Sequence, residues 1–293
     1  MIRAPRWYPY VLLLPAVLVM ATVVYFPLLY NVWLSFRNMS LAHFLDHRFV
    51  GLDQYRRVLG DPVLYTMLGK SIVWTAVNLF FHALVGVSLA LLLNGAIKGK
   101  AIFRALLILP WAMPQYISAL TWRGMFNAEY GAINQILQQW LHVPGIPWQT
   151  DPFWAFVAPI LCNIWLGFPF IMVVTLGGLS AIPVQLYEAA DLDGATWWQK
   201  FRNVTWPQLT PVLSPALILG TIWTFNNLNV IWLVSQGGQP GDRTHILVTY
   251  IYKVAFTYSR YSYAAAFSVV VFLILLGFVV YVMRRTAPRE RAA

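Results

Sequence analysis

The chain has 293 residues, 59% of them hydrophobic and only 10% charged, with a net charge of +10. No water-soluble domain of this length needs so much apolar surface, which excludes a soluble enzyme or binding module. The basic residues are scattered over loops and do not gather on one face, which excludes a nucleic-acid surface.

Spanning a bilayer takes about 20 apolar residues in a helix, and six such stretches can be placed. They are 9–35, 66–94, 101–122, 153–179, 211–235 and 263–283. The expectation is an all-α integral membrane protein, with residues 1–293 forming one transmembrane domain. The first stretch follows Arg3 and Arg6, but its apolar run is too long for a signal peptide and no small-residue cleavage site follows. It reads as a retained helix whose outer end is marked by Arg37 and Asn38. Asp53 suits the cap of a short amphipathic helix carrying Tyr55, Val58 and Leu59. Asp61-Pro62 opens the next span as cap and first position. Lys98, Lys100 and Arg104 crowd the short loop after it. Arg284, Arg285, Arg289 and Arg291 follow the last span. Positive residues favour the cytoplasmic side, so both termini are expected there.

Gly95-Ala96-Ile97-Lys98-Gly99-Lys100 has the wrong spacing for a phosphate-binding loop and lacks the Ser or Thr after Lys, so it reads as a tight turn. Cys162 is the only cysteine and the five histidines are dispersed, which offers neither a disulfide nor a metal cluster. The loop 123–152 carries a helical stretch from Gly131 to Leu141, broken by Pro144, Gly145 and Pro147. In the loop 236–262, Gly237 to Gly241 form a turn-rich segment and Thr249 to Phe256 suit an interfacial helix.

Polar groups inside spans are costly unless they face protein or water. In the third span Pro110 and Pro114 break the backbone pattern, which is tolerated where freed carbonyls line a cavity. In the fourth, Asn163, Gly167 and Phe170 recur at i, i+4 and i+7 on one face, offering an amide, a gap and an aromatic plate. In the fifth, Asn226 and Asn229 share one face and Asn227 points elsewhere. Amides with aromatic plates suit a sugar, and no charged residue lies midway in spans three to five, so a neutral polyol fits better than an ion. Helix-to-helix hydrogen bonding by these asparagines is the plainer alternative. His82 in the second span reads as a packed, satisfied side chain.

Between the fourth and fifth spans lies a polar insert with three of the ten acidic residues, Glu188, Asp191 and Asp193. Pro183 suits a first helical position and Gly194 a left-handed stop. Thr196 and Gln199 have capping-box spacing, so a second helix should start at once and end at Pro207. Ala189 and Ala190 leave a bare face that another backbone can approach. The segment 180–210 therefore reads as a helix-turn-helix knob made to be gripped.

Glu188, Ala189, Ala190, Gly194 and Pro207 stand at the spacing of the signature loop of bacterial ATP-binding-cassette (ABC) importer permeases, which this block resembles. Val204 and Trp206 replace the usual Ile and Leu. The resemblance implies the six-helix type I importer fold, a bacterial inner-membrane location and a loop, Asp193 included, that couples to an ATPase. Pro110-Trp111-Ala112-Met113-Pro114, Trp165-Leu166-Gly167-Phe168-Pro169, and Phe225-Asn226-Asn227 with Gly237-Gly238 resemble the maltose and malto-oligosaccharide branch. That branch implies sugar contacts at Trp111, Gln115, Asn163, Leu166, Gly167, Phe170, Thr224 and Asn227. Trp111 and Phe170 stand where tyrosine is found there, and Gln115 where serine is found. The chain is similar to a minimal six-helix form, without the branch's extra N-terminal helices and external domain.

The implied partners are a second homologous permease, two cytoplasmic subunits that bind ATP and Mg, an external solute-binding protein and membrane lipid. No cofactor is expected in this chain. The sugar implied is a di- or oligosaccharide of malto-oligosaccharide type. The rivals are an ABC permease for another solute, such as glycerol phosphate, a peptide or an amino acid, and a secondary transporter. The first would want a cation near the path, the second an intramembrane acid or an inverted repeat. A membrane enzyme would need a catalytic set, and no Ser-His-Asp spacing occurs.

Overall fold

The computed structural model describes residues 7–95 and 97–286, with backbone only at Pro9, Arg285 and Thr286. Arg3, Arg6, Arg289 and Arg291 lie outside the described residues, as does the side chain of Arg285. In chain order the helices are α1 (Tyr8–Val19), α2 (Phe26–Ser35), α3 (Asp53–Gly60), α4 (Pro62–Asn94), α5 (Lys100–Ala112), α6 (Gln115–Met125) and α7 (Ala132–Gln139). Then come α8 (Pro152–Ser180), α9 (Val184–Leu192), α10 (Trp197–Lys200), α11 (Trp206–Phe225), α12 (Leu228–Val234), α13 (Leu247–Phe256) and α14 (Tyr261–Thr286). One wide π-helical segment, Met20–Tyr25, joins α1 to α2, and another, Phe201–Thr205, joins α10 to α11.

Among the described residues five helical stretches are long and apolar enough to cross a membrane: Tyr10–Ser35, Pro62–Asn94, Pro152–Ser180, Trp197–Phe225 and Tyr261–Arg284. The stretch expected over 101–122 is instead two helices, α5 and α6. Pro114 has no N–H to continue the ladder and holds Met113 extended (φ −76°, ψ 142°). The stretch expected over 211–235 is also displaced. Its helix runs from Trp197 to Phe225 and breaks at Asn226-Asn227 before α12. Pro207 therefore does not end a helix. It lies within that continuous helix, just after the widened segment Phe201–Thr205.

The chain divides into two compact units. One holds the described residues up to Tyr65 together with Ile251–Ile274. All described side chains from Trp7 to Tyr30 are exposed, so α1 and most of α2 present an apolar surface suited to lipid. Below it Asn31 Nδ2 donates to Ser268 Oγ at 2.9 Å, and Tyr263 Oη donates to Asp61 Oδ2 at 2.8 Å. Asp61 caps α4 as expected, its other oxygen accepting from Val63 N at 2.9 Å. Asp53 does not cap α3. It is the first helical residue and pairs with Arg57 at 2.8 Å instead.

The other unit holds Thr66–Tyr250 and the described residues from Leu275 on. Two apolar clusters build it. Trp74, Phe126, Trp148, Cys162, Leu166 and Ile231 belong to one. Ala90, Ile171, Met172, Leu176, Leu209 and Leu213 belong to the other. Helix α8 contributes to both and is the unit's axis. Asp151 caps it, accepting from Phe153 N and Trp154 N at 3.0 and 3.1 Å, and Pro152 fills its first position. In lipid such packing is held by van der Waals contact and interhelical hydrogen bonds rather than by expulsion of water.

Candidate functional site

A cavity opens where the two clusters meet. Leu166 of the first and Ile171 of the second both line it. The two helix breaks open on it as well. Trp111 and Gln115 flank the Met113-Pro114 break, and Thr224 and Asn227 flank the Asn226-Asn227 break. Irregular backbone at membrane depth is tolerated where it lines a cavity, so the breaks and the cavity are one feature.

The structure brings together all eight residues singled out for the sugar path: Trp111, Gln115, Asn163, Leu166, Gly167, Phe170, Thr224 and Asn227. Asn163 is the hub. Its Oδ1 accepts from Asn227 Nδ2 at 3.0 Å, and its backbone carbonyl is 2.9 Å from His82 Nε2. Its own Nδ2 is buried with no hydrogen-bond partner among the described residues. Asn227 caps α12 through its other atom, accepting from Val230 N at 3.1 Å. Trp74 Nε1 holds the Thr224 carbonyl at 2.8 Å. Phe170 lies between Trp111 and Trp223, with ring centroids 6.2 and 5.3 Å away. One wall is thus aromatic and the other amide.

Two sequence expectations need correction. The gap at Gly167 is not empty: a methyl group there would overlap the imidazole of His82. Asn226 and Asn229 do not share the face of one helix, because the break falls between them. His82 is packed and hydrogen-bonded as expected, and it lines the cavity as well, as does Trp223, which nothing in the sequence singled out. A signal for His82 was present. Ser71, Thr75, Asn78 and His82 recur at i, i+4, i+7 and i+11, and all four are buried.

The cavity measures about 120 Å³. Sites for drug-sized ligands span about 300–1,000 Å³, so this one admits no oligosaccharide as it stands.

The knob between α8 and α11 is formed as a second site. Helix α9 carries Glu188, Ala189 and Ala190, and Gly194 takes the left-handed stop at φ +71°. Pro183 is the residue before α9 and not its first position. Thr196 and Gln199 close a reciprocal capping box. Tyr187 Oη and Thr205 Oγ1, 2.9 Å apart, tie α9 to the foot of α11. Leu192 is 91% exposed, and Trp197, Trp198 and Trp206 are exposed too, an apolar surface left uncovered among the described residues.

Residues 82–289 match the model of the family described as binding-protein-dependent transport system inner membrane component. The chain belongs to that family. It is an integral membrane permease of the ABC-importer type, a transport component and not an enzyme. A maltodextrin transport system permease of Bacillus subtilis (strain 168) is 36% identical over 293 residues, 93% of this chain and 67% of the relative. A trehalose/maltose transport system permease of Thermococcus litoralis is 34% identical, over 94% of this chain and 92% of the relative. The fold matches a chain of a bacterial ABC transporter involved in the import of the acidic polysaccharide alginate. The TM-score is 0.83 at 22% identity, covering 97% of this chain and 96% of that one.

Proposed function

We propose that this permease conducts a neutral sugar, a di- or oligosaccharide of malto-oligosaccharide type, through the cavity at the two helix breaks. The observation that carries this is the pairing of an aromatic wall with an amide wall around Asn163, whose buried Nδ2 has no partner among the described residues. An unsatisfied buried donor is costly unless a ligand meets it. The relatives named for maltodextrin and for trehalose and maltose support the same class. The small volume supports alternating access, with the site enlarged when the helices part and completed by a second homologous permease.

The knob at Glu188, Ala189, Ala190, Asp193, Gly194 and Pro207 is the coupling element in this reading. It docks on one of two cytoplasmic subunits that bind ATP and Mg, while an external binding protein delivers the sugar. Both termini then lie in the cytoplasm. The test is reconstitution in vesicles with those partners, followed by ATP-driven uptake of labelled malto-oligosaccharide. Uptake that ignores ATP, or a loaded complex that moves an anionic solute and no neutral sugar, would refute it.

A further inference from the structure

We propose that a second cavity in the same unit is an outer sugar subsite. It holds a trailing unit of an oligosaccharide while a leading unit occupies the cavity at the helix breaks. This rests on the sugar reading above and adds a site to it.

Five polar side chains line the second cavity: Arg123 near the end of α6, Asn127 and Tyr130 after it, Gln149 before α8 and Gln236 after α12. Its volume is about 340 Å³, inside the range of about 300–1,000 Å³ for ligand sites. Little of its hydrogen-bonding capacity is used. Asn127 Oδ1 accepts from the N–H groups of Glu129 and Tyr130, and Gln149 Nε2 donates to the Arg123 carbonyl. The Arg123 guanidinium has no ion-pair partner among the described residues. Free donors on Arg123 and Asn127 therefore face a free acceptor on Gln149, with Gln236 and Tyr130 able to do both. A carboxylate or phosphate only accepts. A hydroxyl both donates and accepts, so the mixture fits a neutral polyol better than an anion. Gln236 is held at φ +52°, in the left-handed region non-glycine residues rarely adopt. That conformation is the left-handed stop after α12, closed by Gly237 N donating to the Trp232 carbonyl at 2.8 Å, and it leaves the Gln236 side chain outside the helix.

The two cavities lie along the same helices. On α6, Gln115 lines one and Arg123 the other, eight residues on, about 12 Å along the axis. On α8, Gln149 precedes the first turn and Asn163 lies eleven residues past Pro152, about 16 Å further. Helix α12 has Asn227 before it and Gln236 after it. A monosaccharide does not bridge such a distance, and an oligosaccharide does.

The test uses the whole importer in lipid vesicles, with its second permease, ATPase subunits and binding protein. ATP-driven uptake of a neutral malto-disaccharide and a malto-tetrasaccharide is measured for the parent, Arg123→Ala and Tyr130→Phe. One lost hydrogen bond predicts a fall of about three- to ten-fold for the tetrasaccharide in Arg123→Ala, with the disaccharide changed by less than about two-fold. Tyr130→Phe removes one hydroxyl and should show the same selectivity, which keeps the test alive if Arg123→Ala fails to assemble. Equal losses at both lengths would overturn the subsite and point to binding-protein docking, and no loss at either length would overturn it too. A tetra-uronate that competes better than the neutral tetrasaccharide would also overturn it. If the parent carries neither neutral sugar, the sugar reading itself fails, an outcome distinct from a parent that carries both without length selectivity in the variants.

Discussion

Asn227 Nδ2 donates to Asn163 Oδ1 at 3.0 Å, joining the middle of α8 to the break between α11 and α12. The bond fixes the break in place and leaves Asn163 Nδ2 as the free donor. Interhelical hydrogen bonds of this kind average about 0.6 kcal/mol in membranes, with a ceiling near 1.7. Asn227→Ser keeps an oxygen to cap α12 and loses the amide N–H that reaches Asn163. Unfolding of the parent, Asn163→Ala, Asn227→Ser and the double variant should therefore give a coupling within that range. Strict additivity would show that the bond contributes nothing.

Gly167 and His82 form a tight notch, because a methyl on Gly167 would overlap the ring. Gly167→Ala should cost about 1–3 kcal/mol by overpacking. In a His82→Ala background the same change should cost much less, since the clash then has no partner. Thermal unfolding of the single and double variants checks this. A stable Gly167→Ala chain with His82 intact would show that α4 and α8 part easily.

Phe170 stands between Trp111 and Trp223. Each aromatic pair contributes about 0.5–1.5 kcal/mol beyond its area. If the rings stack on sugar, Phe170→Leu should raise the KM for uptake several-fold and lower stability by no more than that packing loss. If they serve packing alone, stability falls and KM stays. Uptake curves and unfolding measured on the same preparation separate the two.

Four of the six expected spans were legible from length and apolarity alone, and the two interrupted by helix breaks were not. Asn163, Gly167 and Phe170 were placed on one face by period alone, and the structure sets all three on one cavity. The breaks were harder. Pro110 and Pro114 both announce a disruption, yet only Pro114 breaks the helix, while Pro110 is buried within α5. Pro207 looked like a stop and lies inside a continuous helix, just past a π-helical segment. Asn226 and Asn229 looked like one face because nothing local reveals a break that depends on Asn227 capping α12. His82 was legible only as part of the stripe from Ser71, not as a lone polar residue.

Gly194 sits at φ +71° with no atom among the described residues within 4 Å of where a Cβ would stand. An added Cβ there therefore meets backbone strain and no collision. A β-branched residue in this region is strained by about 1–2 kcal/mol, whereas asparagine visits it with less penalty. The turn is closed by Gly194 N to the Asp191 carbonyl at 3.0 Å and Ala195 N to the Ala190 carbonyl at 2.9 Å, so strain at Gly194 tilts α9 against α10. If that knob couples the permease to an ATPase, Gly194→Val should lower sugar moved per ATP hydrolysed, and Gly194→Asn should stay close to the parent. Both ratios are measured in the reconstituted importer. Equal damage from Val and Asn would mean that the bare surface matters and the turn does not. Normal coupling in Gly194→Val would mean that the motion is transmitted elsewhere.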